Sequence, residues 1–247
     1  MPPVNAEKPE EIQLDVSPSE HVTALAYRAA PRGYAGVTLI LAHGAGANQA
    51  SSFMVRFATS LAARGLDTVT FNFVYTEQRR RLPDRNDKLE HCYRTVIEAV
   101  RGGKFHDDAR RRKLVIGGKS MGGRIASQVA AAGQEGIAGL VFLGYPLHPP
   151  GRPDKLRSKH LPDIRAPMLF VQGSRDAFGT PEELRPVIRG LKAPADLCVI
   201  EGGDHSWKVP KSAGRSQVEV FDVALDAIEG WLAQRVLGKQ AGGRGGG

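Results

Sequence analysis

The chain has 247 residues, 41% hydrophobic and 24% charged, the balance of a globular protein with length for one full core or two small ones. Its 34 basic residues outnumber 26 acidic ones, a net charge of +8, but the excess is scattered through "QRRRLPDR", "DDARRRK", "DKLRSKH" and the tail. No aromatic residues interleave with it, so a solvated surface is expected and a nucleic-acid partner is not.

No apolar run reaches the ~18–20 residues of a membrane span. The acidic, polar start "MPPVNAEKPEE" is not expected to be a secretory signal. Cys92 and Cys198 have no metal-ligand spacing and read as reduced packing residues, which suits a cytoplasmic protein.

Residues 1–10 and the glycine-rich stretch 239–247 are expected to be a disordered arm and tail around one domain, 11–238. "HVTALAYRA" and "VTLILAHG" read as strands, the second apolar enough to be buried on both faces. Residues 51–64 carry Phe53, Phe57 and Leu61 at helical spacing and stop at Gly65. A strand "LDTVTFNFVY", a helix "NDKLEHCYRTVIEAVRGG", a strand "KLVIGG", a helix "MGGRIASQVAAAG" and a strand "IAGLVFLGYP" follow. The proline-rich segment from His148 to Pro167 is a loop with room for one short helix. "PMLFVQGS" resumes as a strand, then come the helix "TPEELRPVIRGL" and the strand "DLCVIEGG". The final helix carries Val218, Phe221, Leu225, Ile228 and Leu232 on one face. Such alternation predicts an α/β fold, a mainly parallel sheet with helices on both faces.

Gly118-Lys119-Ser120-Met121-Gly122 joins a predicted strand to a predicted helix. This G-x-S-x-G pattern suits a sharp turn that lifts a serine hydroxyl above the carboxyl edge of the sheet. A serine hydroxyl needs a base, and the base needs an orienting acid. Asp176 in "GSRDAFG" and His205 in "EGGDHSW" follow later strands in the required order, serine, acid, histidine. Asp204 and Asp196 are rival acids, but Asp204 adjoins the histidine and should point away from it. In "AHGAGAN" the glycines let the backbone turn its amides inward, so Ala45 and Met121 are the expected oxyanion donors. His43, just before them, is expected to brace the loop.

These segments resemble the α/β-hydrolase fold over nearly the whole ordered chain. More narrowly, "LAHGAGANQ", "FNFVYTEQRRRLPD", "GGKSMGGR", "LGYPLHPPG", "VQGSRDAFG" and "GGDHSW" are similar to the dienelactone-hydrolase-like branch. Within it they resemble the small group related to a testis-expressed protein and to a subunit of the non-specific-lethal chromatin complex. The resemblance implies an esterase-type hydrolase with no metal or organic cofactor. Dienelactone hydrolases proper carry cysteine where Ser120 stands, so their substrate does not carry over. The chromatin-complex relatives imply an alternative, an interaction module with a basic surface and no turnover.

About 20 residues between the sixth and seventh strands leave no room for a sizeable cap, so a shallow, open cleft for small acyl esters is expected. Tyr145, Pro146 and Leu147 are expected on one wall and Phe178 or Trp207 on another, with core packing an equal reading for each. Arg79, Arg80 or Arg81 have two readings: a solvated basic loop, or one guanidinium at the cleft mouth that binds a substrate carboxylate or phosphate. A small-molecule ester is the expected partner of a monomer or homodimer that binds no membrane.

Overall fold

The computed structural model describes residues 8–29, 36–106, 108–210, 212 and 214–238. The expected tail lies outside the described residues, as does the expected arm up to residue 7. Its last residue, Glu10, instead opens the first strand.

Eight strands form one sheet: β1 (Glu10–Ser17), β2 (Glu20–Tyr27), β3 (Val37–Ala42), β4 (Asp67–Phe71), β5 (Lys113–Lys119), β6 (Ile137–Leu143), β7 (Met168–Gly173) and β8 (Ala195–Ile200). Their order is β1-β2-β4-β3-β5-β6-β7-β8. The pairs β1–β2 and β2–β4 are antiparallel, and all the others are parallel. The strand β1 was not expected. It alternates, with Leu14 and Val16 buried between exposed acidic and polar residues, as an edge strand with one wet face does.

Helices α1 (Ser52–Ala63), α2 (Val74–Glu77), α3 (Asn86–Arg101), α4 (Met121–Ala131), α5 (Pro181–Arg189) and α6 (Gln217–Trp231) complete the fold. Side-chain alternation along the sheet divides the core between its faces. Leu39 and Leu41 of β3 join Met54, Phe57 and Leu61 of α1 and Phe221, Leu225 and Ile228 of α6. Ile40, between those two leucines, joins Tyr93 and Val96 of α3 and Ile125 and Val129 of α4. The expected three-layer α/β arrangement is therefore present.

Two elements differ from expectation. β4 ends at Phe71, and Val74–Glu77 turn into the one-turn helix α2. There Glu77 Oε1 accepts from the Thr23 amide at 2.8 Å and from Asn72 Nδ2 at 3.0 Å, which folds the chain back. On α6, Val218 is 47% exposed, because the Ser216–Glu219 capping box starts the helix at Gln217 and turns Val218 outward. Val220, Ala224 and Trp231 are buried with Phe221, Leu225, Ile228 and Leu232.

The segment between β6 and β7 holds only a 3-10 turn, Leu161–Asp163, so no sizeable cap is present. Among the described residues no helix is long and apolar enough to cross a membrane. The two cysteines are free thiols, and burial pushes that of Cys92 up to about 12.

β3 and β5 lie side by side at the centre, and the chain leaves them in opposite directions along the sheet. Such a switch point opens a crevice at the carboxyl ends of the strands. Close approach there depends on glycine. A Cβ on Gly122 would lie 2.3 Å from the Ala42 carbonyl oxygen, so α4 packs against the end of β3 only without one. Gly122→Val is expected to lower unfolding free energy by on the order of 1–3 kcal/mol. Gly230→Ala, in open space on α6, is expected to raise it by about 0.5–1 kcal/mol. Urea unfolding of both variants checks the contrast; an unchanged midpoint for Gly122→Val contradicts the close approach.

Candidate active site

Ser120 caps α4 directly after β5, with φ 51° and ψ −115°. A side chain this far from the allowed regions is strained, and its surroundings must hold it there. Its amide donates to the Leu143 carbonyl of β6 at 3.1 Å, and its carbonyl accepts the Arg124 amide at 3.1 Å. The hydroxyl is thereby fixed at the rim where β5 ends.

His205, in the loop after β8, places Nε2 2.8 Å from Ser120 Oγ. Its Nδ1 lies 2.8 and 2.9 Å from the two oxygens of Asp176, which follows β7. The carboxylate fixes the proton on Nδ1 and leaves Nε2 as the acceptor for the serine hydroxyl. Asp176 is fully buried, and it receives two further donors: Gln172 Nε2 at 2.9 Å and the Phe178 amide at 2.8 Å. The rival acids are occupied elsewhere. Asp204 accepts from the amides of Ser206 and Lys208, and Asp196 makes a bidentate pair with Arg235.

Two supporting residues were not singled out from the sequence. Gln172 bridges Asp176, the Tyr145 amide and the Gly179 carbonyl, which ties the acid loop to the loop after β6. Lys119, at the variable position of the serine motif, donates from Nζ to the His205 carbonyl at 2.5 Å. Burial holds its ammonium down to about 8, against the opposing pull of Asp176 and Asp204. The only sequence signals were a polar residue ending an apolar strand and a lysine inside a buried turn.

His43 is buried and makes the loop contacts expected of a brace. Nδ1–H donates to the Gly44 carbonyl at 2.9 Å, while Nε2 accepts from the Phe73 amide at 3.3 Å. A trans peptide carries C=O and N–H on opposite sides. With the Gly44 carbonyl held toward His43, the Ala45 N–H is turned the other way, toward the side on which Ala45 lines the cleft. Met121, the first residue of α4, also lines it, and amides in a first helical turn have no intrahelical acceptor.

The cleft above Ser120 has a volume of about 800 Å³. Phe178 is on its wall as expected, its ring centroid 4.2 Å from that of His205, and Pro146 is on the wall too. Tyr145, Leu147 and Trp207 are not. Each is fully buried, Tyr145 because its hydroxyl donates to the Arg157 carbonyl at 2.9 Å. Trp207 packs in the core between α1 and α6, 5.3 Å from the ring of Phe53. Phe53 and Phe221, which cover it, line the cleft instead. Arg79, Arg80 and Arg81 lie outside the cleft as well. Arg80 is held by Asp84 at 2.5 Å, and Arg79 turns at φ 56° into an exposed loop. Pro83 and Asp84 from the same segment reach the cleft in their place.

The family model of the alpha/beta hydrolase domain matches residues 35–233, and the chain belongs to that family. Among solved structures, it resembles an alpha-beta serine hydrolase homologue from Coxiella burnetii at 21% identity and a TM-score of 0.69, over 91% of this chain and 99% of that one. A dienelactone hydrolase from Anabaena variabilis shares 19% identity with a TM-score of 0.68, over 93% and 100% of the two chains. An α/β serine hydrolase without lid from Xanthomonas campestris gives 20% identity and a TM-score of 0.67, over 97% and 98%.

Burial depresses His43 to about 4 from an ordinary value near 6.5. The unfolded chain therefore binds a proton at this residue before the folded one does. Its contribution to stability is whole above about pH 6.5 and is lost as pH falls through about 4. The His43 ring is expected to show no NMR titration above pH 5. His43→Gln should flatten the fall in stability between pH 6.5 and 4; a ring that titrates near 6.5 contradicts the buried, neutral assignment.

Proposed function

We propose that the protein is a serine hydrolase that cleaves small carboxylic esters or thioesters through an acyl-enzyme. The observation that carries this is the continuous relay Asp176–His205–Ser120, with 2.8 Å at each junction, at the floor of an open cleft. Its catalytic residues are Ser120, His205 and Asp176.

In this reading His205 Nε2 takes the proton as Ser120 Oγ attacks the acyl carbon. Asp176 stabilises the imidazolium without being protonated itself. The amides of Ala45 and Met121 receive the negative charge that develops on the former carbonyl oxygen. His205 then gives its proton to the leaving alcohol or thiol, and the C–O or C–S bond breaks. Water, deprotonated by His205, attacks the acyl-enzyme; collapse of the second tetrahedral intermediate releases the acid and returns the proton to Ser120.

The machinery calls for neither metal nor organic cofactor. A cleft of about 800 Å³ falls within the usual range for small-molecule sites, and without a cap it suits short acyl groups. Quoted motifs such as "GGKSMGGR" and "GGDHSW" support a place in the dienelactone-hydrolase-like branch, near the testis-expressed and non-specific-lethal relatives. Free thiols at Cys92 and Cys198 support a reducing, cytoplasmic setting.

A fluorophosphonate probe and p-nitrophenyl acetate test the reading. The folded wild type is expected to be labelled and to turn the ester over, and Ser120→Ala to abolish labelling. Loss of Ser120 or His205 should cut kcat by on the order of 10⁴–10⁶. Asp176→Asn should cut it by about 10⁴, because the wrong imidazole tautomer is then favoured. A folded wild type that neither labels nor turns over any ester contradicts the reading and leaves the interaction module in its place.

A further inference from the structure

Among the described residues, most arginines that make side-chain contacts are matched by carboxylates. Arg64 meets Asp222, Asp226 and Glu229; Arg112 meets Asp67 and Asp108; Arg235 meets Asp196. The cleft is different. Arg56, Lys119, Arg124, Arg157 and Lys208 line it, and the one carboxylate among its lining residues, Asp84, is taken up by Arg80 and the Tyr75 amide. Among the described residues, none of the five cations has a carboxylate at ion-pairing distance.

Two of the five are built in. Arg124 sits one turn along α4 from Ser120, a rise of about 6 Å. Its half-buried guanidinium touches only neutral amides, Asn86 Oδ1 at 3.2 Å and Gln128 Oε1 at 3.4 Å. Burial, and then the nearby Arg157 guanidinium, hold Arg124 below its ordinary range. The backbone of Arg157 is fixed at both polar groups. Its amide donates to the Leu147 carbonyl at 2.7 Å and its carbonyl accepts the Tyr145 hydroxyl at 2.9 Å. Two neighbouring cations, partly dehydrated and with no carboxylate in ion-pair contact, are a standing electrostatic cost that Glu90, already paired with Arg94, offsets only in part. An anion set between them removes it, and guanidinium forks match a carboxylate in shape.

We infer that Arg124 and Arg157 form an anion subsite beside Ser120, and that the ester taken by this cleft carries a carboxylate. The inference deepens the hydrolase reading and rests on it for the chemistry, but the subsite itself binds without turnover.

The test compares mono-p-nitrophenyl glutarate with its methyl ester, which has the same acyl length and no charge. A second pair, 4-acetoxybenzoate and its methyl ester, places the carboxylate on the alcohol side. In one of the two pairs, wild-type kcat/KM is expected to favour the carboxylate by about tenfold or more, and less so as salt is raised. Arg124→Gln and Arg157→Gln should each reduce that ratio, whereas Arg235→Gln, which pairs with Asp196 of β8 and does not line the cleft, should not. Equal constants within both wild-type pairs, or a preference that survives both cleft substitutions, overturns the subsite. The wild-type ratio decides even where a variant fails to fold.

Calorimetric titration with glutarate and with 4-hydroxybenzoate separates the subsite from the chemistry. If Ser120 is never labelled by fluorophosphonate, yet one of these anions binds wild type and not the two variants, the subsite stands and the hydrolase reading falls. If neither anion binds and no ester is turned over, both fall.

Discussion

The backbone of Ser120 is the constraint on which the site depends. A serine at φ 51° and ψ −115° costs on the order of 1–3 kcal/mol, so it persists only where neighbouring structure leaves no alternative. Here β5 is locked between β3 and β6, and α4 starts at once against the end of β3. The glycines around the serine allow this: a Cβ at Gly118 would lie 2.4 Å from the Ala42 carbonyl oxygen, and one at Gly122 would lie 2.3 Å from it. The strain sends the hydroxyl out of the sheet, and the same turn brings Met121 to the cleft.

The other members are held by buried polar contacts rather than by packing alone. Asp176 is reached by Gln172, the Phe178 amide and His205, so its lone pairs are satisfied without water. Lys119 grips the main chain of His205, and His43 grips that of Gly44. Three loops from different strand ends are thus tied to one rim. An unsatisfied partner in such a setting costs about 1–3 kcal/mol, which makes the arrangement close to all-or-none.

The sequence made the parallel strands and the helices legible, because fully buried strands such as "VTLILA" and stripes such as Tyr93, Val96 and Val100 carry their own period. Ser120, Asp176 and His205 were legible as a set because chain order and strand ends restrict where partners can stand. What escaped were features set by tertiary contacts. β1 hid behind its charged outer face, although Ile12, Leu14 and Val16 alternate. Trp207 and Tyr145 sit next to the site in sequence, but the same loops turn them into the core. The basic run at Arg79–Arg81 is dense but exposed, while the cations that face the cleft come singly, from α1, the end of β5, α4 and two loops. A cluster assembled from distant residues leaves no local run to read.

The central claim is that Ser120, His205 and the amides of Ala45 and Met121 address one reacting centre. The most direct measurement is a crystal structure of the chain after phosphonylation by the fluorophosphonate. The expected result is phosphorus on Ser120 Oγ, with its non-bridging oxygen within about 3 Å of both amides and the His205–Asp176 contact intact. A phosphoryl oxygen pointing away from Ala45 and Met121, or an adduct on another residue, would contradict it.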